Sequence, residues 1–120
     1  MPEASPTELR REPRIDVDLD VTLRLSDGQR HFIVDNVSRR GVFLITPEPL
    51  PLRRLVELRT ELDDGDGPIT LLGRVAHRVT GDRAEEQDRR PGMGLQLYPA
   101  DPDALARWQT WVEAQYDDIT

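Results

Sequence analysis

Three arginines, Arg10, Arg11 and Arg14, stand just ahead of the first patterned segment of this chain. Further along comes a polar stretch, Asn36-Val37-Ser38-Arg39-Arg40-Gly41. Arg10 and Arg14 are four residues apart. A guanidinium fork donates two parallel hydrogen bonds to phosphate oxygens, and its plane stacks on a purine face. The second stretch places an amide, a hydroxyl and a glycine at the spacing N-x-S-x-x-G. Asn36 offers one carbonyl acceptor and an amide donor, and Ser38 both donates and accepts. Gly41 allows either a positive φ or a close approach of backbone to another group. These types suit an anion clamp on a mobile arm beside a ledge that reads a base edge. The arginine spacing alone says little, because Arg74 and Arg78 repeat it inside an expected strand. The N-x-S-x-x-G spacing carries more weight. Asp35 is one residue out of step with it and is expected to face the other side of its strand.

The elements that must hold these residues follow from hydrophobic periodicity. Ile15, Val17, Leu19, Val21, Leu23 and Leu25 alternate with polar residues, which reads as a half-buried strand. Asp27-Gly28 signals a hairpin turn. A second strand is expected over roughly 30–37, and a third runs from Val42 to Thr46 after Gly41. Pro47, Pro49 and Pro51 make the next stretch a rigid loop, since proline has no donor for a ladder. Val56, Leu58, Thr60 and Leu62 mark a fourth strand, and Asp63 to Pro68 is a turn. Ile69, Leu71, Gly73, Val75, His77 and Val79 are expected on one face of a fifth strand. A charged, flexible loop from Gly81 to Gly92 leads to a sixth strand at Met93, Leu95 and Leu97. Six short antiparallel strands with turn punctuation suggest a barrel, which leaves no sticky edges. Asp101 as N-cap and Pro102 at the first helical position open a terminal helix. Its apolar face is Leu105, Trp108, Val112 and Tyr116.

Composition narrows the function. With 120 residues the chain is one domain. There is no cysteine, so disulfides, thiol nucleophiles and cysteine–metal sites are excluded. All 16 basic residues are arginine, which excludes lysine Schiff bases and a Walker lysine. Only three serines and two histidines are present, and nothing resembles a catalytic constellation; no enzymatic activity is expected. Net charge is −7, balanced over residues 1–60 and concentrated in residues 61–120. An extended nucleic acid wants a basic face, so a small anion gripped by a local arginine cluster is the better fit. The start of the chain has no apolar core and no segment has transmembrane length, so a cytoplasmic location without membrane insertion is expected. Asp63-Asp64-Asp66 lacks the other ligands of a calcium loop, and Asp16-Asp18-Asp20 alternates on a solvated strand face. No metal is expected.

The order of the two motifs, arginine pair first and N-x-S-x-x-G near the end of the second strand, resembles the PilZ family of cyclic di-GMP receptors. The resemblance spans about residues 9–116, between a disordered arm (1–8) and a short tail (117–120). It implies a mainly β fold: a six-stranded antiparallel β-barrel with a C-terminal α-helix and a flexible N-terminal arginine arm that closes on ligand. It implies ligand-binding roles for Arg10, Arg14, Asn36, Ser38 and Gly41. Arg11 is an additional arginine that could substitute for or assist its neighbour. His77 stands where relatives often carry an aromatic, and is a weaker candidate for stacking on the ligand. The family more often has aspartate where Asn36 stands; a carboxylate accepts both donors of a guanine edge better than an amide does. The implied function is a receptor and effector module for cyclic di-GMP that signals to a protein partner through its arm, with no other cofactor and no nucleic-acid partner. The alternative is a protein–protein adaptor with the same fold that does not bind the nucleotide, as some relatives without the arginines act in pilus assembly. Motility, surface polysaccharide and development are all open as the regulated process.

Overall fold

The computed structural model describes residues 14–86 and 90–119. The strands are β1 (Ile15–Asp16), β2 (Asp20–Leu25), β3 (Gly28–Ser38), β4 (Gly41–Ile45), β5 (Leu55–Glu61), β6 (Pro68–Val79) and β7 (Gly92–Tyr98). The helices are α1 (Gly81–Glu86) and α2 (Pro102–Ile119). Six strands close on themselves. β3 pairs with β2, β2 with β5, β5 with β6, β6 with β7, β7 with β4, and β4 returns to β3, all antiparallel. The expected six-stranded barrel with a C-terminal helix is therefore present. The alternating residues fill it: Val21, Leu23, Val56, Leu58, Leu71, Val75, Leu95 and Leu97 are all buried inside. Each such side chain contributes about 1.5–3 kcal/mol by leaving water.

Two strands depart from simple alternation. In β3 the register against β4 shifts between Val34 and Asn36, so Asp35 is an extra, bulged residue. Val34 and Val37 both point inward despite being three apart, and Asp35 and Asn36 share the outer side. The expectation that Asp35 faces away from Asn36 is corrected on this point. The bulge also breaks the first strand in two: β1 pairs with Val37 and Asn36, and β2 resumes at Ile33 in a register shifted by one. In β6 a second bulge lies between Val75 and His77. It turns His77 and Val79 to the outer face, so they do not continue the inward row of Ile69, Leu71 and Val75.

The expected loop after β6 begins instead as α1. Ala84 is buried against Phe43 and Val79 in a small apolar cluster apart from the main core, and its N–H donates to the Thr80 carbonyl. Ala84 is the one buried residue of this short helix. Helix α2 starts as expected: the Asp101 carboxylate accepts from the N–H groups of Asp103 and Ala104. It packs on β3 and β6, burying Leu105, Trp108, Trp111 and Val112 in the core. Trp111 is thus committed inward. The side chain of Tyr116 lies outside the described residues. Polar contacts lock the helix to the β5–β6 turn. Arg107 donates through Nε and Nη2 to the two oxygens of Asp64, each at 2.7 Å, and also to the Gly67 carbonyl. The Trp111 indole donates to Asp63 Oδ1 at 2.6 Å. The hydrogen bonds from Arg107 hold the Asp64 carboxyl at about 2, below the ordinary 3.8, and Asp64 raises Arg107 in turn.

Candidate functional site

The register decides which residues meet outside the barrel. Asn36 pairs with Phe43, Phe43 with Gly94, and Gly94 with His77, one row running across β3, β4, β7 and β6. Ser38, Gly41 and Gln96 form the start of the next row. Paired residues in a sheet project to the same face, so both rows lie on the outer wall. Each bulge sits immediately before the outward residue it aims, Asp35 before Asn36 and Ala76 before His77.

Arg14 closes over this wall from the start of β1. Its Nε donates to Asn36 Oδ1 at 2.5 Å, and its Nη1 to Ser38 Oγ at a longer 3.4 Å. Asn36 Nδ2 donates in turn to Asp35 Oδ2 at 3.0 Å. Arg90 Nη2 donates to the other Asp35 oxygen at 3.3 Å. The structure thus brings Arg14, Asn36, Ser38 and Gly41 into one cluster. Arg10 and Arg11 lie outside the described residues.

Gly41 is required by proximity rather than by an unusual dihedral angle. It is absent from the residues with positive φ. A Cβ placed on it would stand 3.2 Å from Arg14 Nη1, 3.2 Å from Ser38 Oγ and 3.3 Å from the Leu95 carbonyl oxygen. The glycine is the floor on which the guanidinium rests. Gly94 does the same for His77: a Cβ there would fall 2.1 Å from the imidazole Cε1. The His77 ring stacks against Phe43, centroids 5.7 Å apart at 25°. An exposed imidazole on a buried phenyl makes a flat shelf beside Asn36 that a planar base can cover.

The back of the ledge is tied to the core. Ser38 is 4 % exposed. Its backbone carbonyl accepts the indole N–H of buried Trp108 at 3.1 Å, and neighbouring Arg39 pairs with Glu113 of α2 at 3.0 Å. Sequence reading missed Arg90 and Phe43. Arg90 sits in a charged loop far along the chain, and no local spacing links it to Asp35. Phe43 reads as an ordinary strand residue, because only the register shows that it faces outward beneath His77.

Comparison with protein-family models matches the PilZ domain over residues 8–114. The chain belongs to the PilZ domain family. Comparison with curated protein sequences returns no match. Among solved structures, the inhibitor of motility MotI/DgrA of Bacillus subtilis is similar with a TM-score of 0.65 and 17% identity, over 90% of this chain and 52% of that one. This PilZ domain thus spans about half the length of that protein. The PilZ domain of CeSA from a cellulose-synthesizing bacterium gives 0.62 and 18% identity, over 87% of this chain and 98% of that one. The PilZ domain of YcgR from Escherichia coli, solved with c-di-GMP, gives 0.64 and 15% identity, over 92% of this chain and 93% of that one. At these identities the likeness is one of fold.

Proposed function

We propose that this PilZ domain is a receptor for cyclic di-GMP, and that it passes the signal to a protein partner through its N-terminal arm. The observation that carries the reading is the seating of Arg14 on Gly41, hydrogen-bonded to Asn36 and Ser38. The two motifs, separated in sequence, make one polar surface. That surface matches the ligand's chemistry. Guanidinium groups meet the phosphodiesters, the amide and carboxylate of Asn36 and Asp35 meet a guanine edge, and the Phe43–His77 shelf meets a purine face. The similar YcgR domain, solved with c-di-GMP, supports the choice of nucleotide. Arg10 and Arg11 complete the clamp from the arm. Ligand binding selects a closed arm, and the partner reads that arm with the barrel rim. The similarity to an inhibitor of motility makes motility the first process to test.

Isothermal titration calorimetry of the purified chain with cyclic di-GMP tests the reading. Micromolar or tighter binding is expected, weakened at least tenfold in Arg14→Ala and in Arg10→Ala with the melting temperature little changed. A flat titration of well-folded protein refutes the receptor and favours the adaptor.

A further inference from the structure

The second row of the outer wall continues past Gln96. Gln96 pairs with Arg74, and Arg74 with Leu55. Ser38, Gly41, Gln96 and Arg74 are therefore consecutive neighbours on one face. At about 4.8 Å per strand step, Arg74 lies roughly 14 Å across the wall from Ser38. Gly41 contributes no side chain and Gln96 is exposed, so the space between the two ends is floored by backbone and one amide.

The described arginines of this chain fall into two groups. Arg24, Arg39, Arg78 and Arg107 each reach an acceptor. The side chain of Arg74, like those of Arg40, Arg53, Arg59 and Arg83, makes no hydrogen bond or ion pair among the described residues. Its row neighbours are Gln96 and the exposed Leu55, so no carboxylate stands beside it in the row. What it does have is a brace: its guanidinium carbon lies 5.6 Å from the centroid of the Tyr98 ring. A guanidinium held over an aromatic face keeps its donors free. An exposed guanidinium over an aromatic ring, with its donors free, is equipped to receive an anion.

The proposed ligand has two-fold symmetry and presents its phosphodiester twice, on opposite sides of the ring. Arg14 approaches from the Ser38 end of the row. We infer that Arg74, braced by Tyr98 and flanked by Gln96, is a second anion-binding wall of the site and takes the phosphodiester opposite the one held by the arm. This assignment rests on the receptor reading above and extends it to the far half of the ligand.

Calorimetry with cyclic di-GMP on wild type, Arg74→Ala, Arg74→Lys and Arg78→Ala tests it. Arg78→Ala removes the same charge from the same strand, but Arg78 donates to the Pro49 carbonyl and lies off the row. Arg74→Ala is expected to weaken binding about tenfold, with Arg74→Lys between it and wild type because the charge remains and the fork is lost. Arg78→Ala should bind within twofold of wild type, and all three variants should melt like wild type, since both positions are exposed. Wild-type affinity in Arg74→Ala overturns the second wall and leaves the receptor standing. Equal weakening in Arg78→Ala also overturns it, reducing the effect to net charge. A wild type that does not bind removes the receptor and the wall together.

Discussion

Replacing Gly41 by alanine separates a glycine kept for its backbone from one kept for the space above it. The φ of Gly41 lies outside the left-handed region, so alanine adopts the native backbone. Fewer unfolded conformations then favour the variant by about 0.4–1 kcal/mol. Against this, the methyl would meet the Leu95 carbonyl oxygen at 3.3 Å, and tight packing of this kind costs about 1–3 kcal/mol. The net loss is about 1 kcal/mol, a fall in melting temperature of about 3–6 °C for a chain of this size. Ligand affinity should suffer more. The same methyl would stand 3.2 Å from both Arg14 Nη1 and Ser38 Oγ, so the guanidinium must lift off the ledge. Losing one hydrogen bond to a charged group costs about 1.5–3 kcal/mol, or about 10- to 150-fold in Kd. Differential scanning fluorimetry and calorimetry on the same sample give both numbers. Binding within twofold of wild type, at retained stability, would refute the idea that Gly41 serves as the floor for Arg14.

Asn36→Asp should bind cyclic di-GMP no more weakly than wild type, because a carboxylate still accepts from Arg14. It should melt a few degrees lower at neutral pH, because the donation from Asn36 Nδ2 to Asp35 is replaced by two facing carboxylates; clear loss of affinity in calorimetry would show that the amide donor serves the ligand. The Asp64 carboxyl is depressed from 3.8 to about 2 in the folded protein. Its contribution is therefore present above about pH 4 and disappears as pH falls toward about 2. Melting temperatures across that window should fall less steeply in Asp64→Asn than in wild type, and parallel curves would refute the linkage. Trp108→Phe leaves the buried Ser38 carbonyl without its donor and removes part of a wholly buried ring. Urea unfolding should show a loss of about 2–4 kcal/mol, and a loss under about 1 kcal/mol would mean that the indole hydrogen bond contributes little.

Much of the scaffold was legible because its elements obey simple periods. The run from Val21 to Leu25 and that from Val56 to Leu62 alternate cleanly, and the buried residues are the alternating ones. Asp101-Pro102 opened the helix as capping chemistry dictates. The bulges were harder. Val34 and Val37, both apolar and three apart, hold a trace of the first one, since no flat strand buries both. Val75 through Val79 hold no such trace, and period two carried His77 to the wrong face. Neighbours across strands were not legible at all. Asn36, Phe43, Gly94 and His77 meet through three separate pairings, each set by distant hydrogen bonds. Arg90 finds Asp35 across 55 positions, beyond any local spacing rule. Asn36, Ser38 and Gly41 were readable because that part of the wall comes from one hairpin, whose turn keeps them close in sequence and in space.

Ser38 looks two ways: its hydroxyl faces Arg14, while its carbonyl holds the indole of Trp108. A movement of this residue would change the hydrogen bond of a wholly buried fluorophore. Trp108 emission is therefore expected to change when cyclic di-GMP is added, a readout that needs no attached dye. Trp111 donates to Asp63 and its ring centroid lies 5.8 Å from that of Trp108, so Trp111→Phe isolates the Trp108 signal.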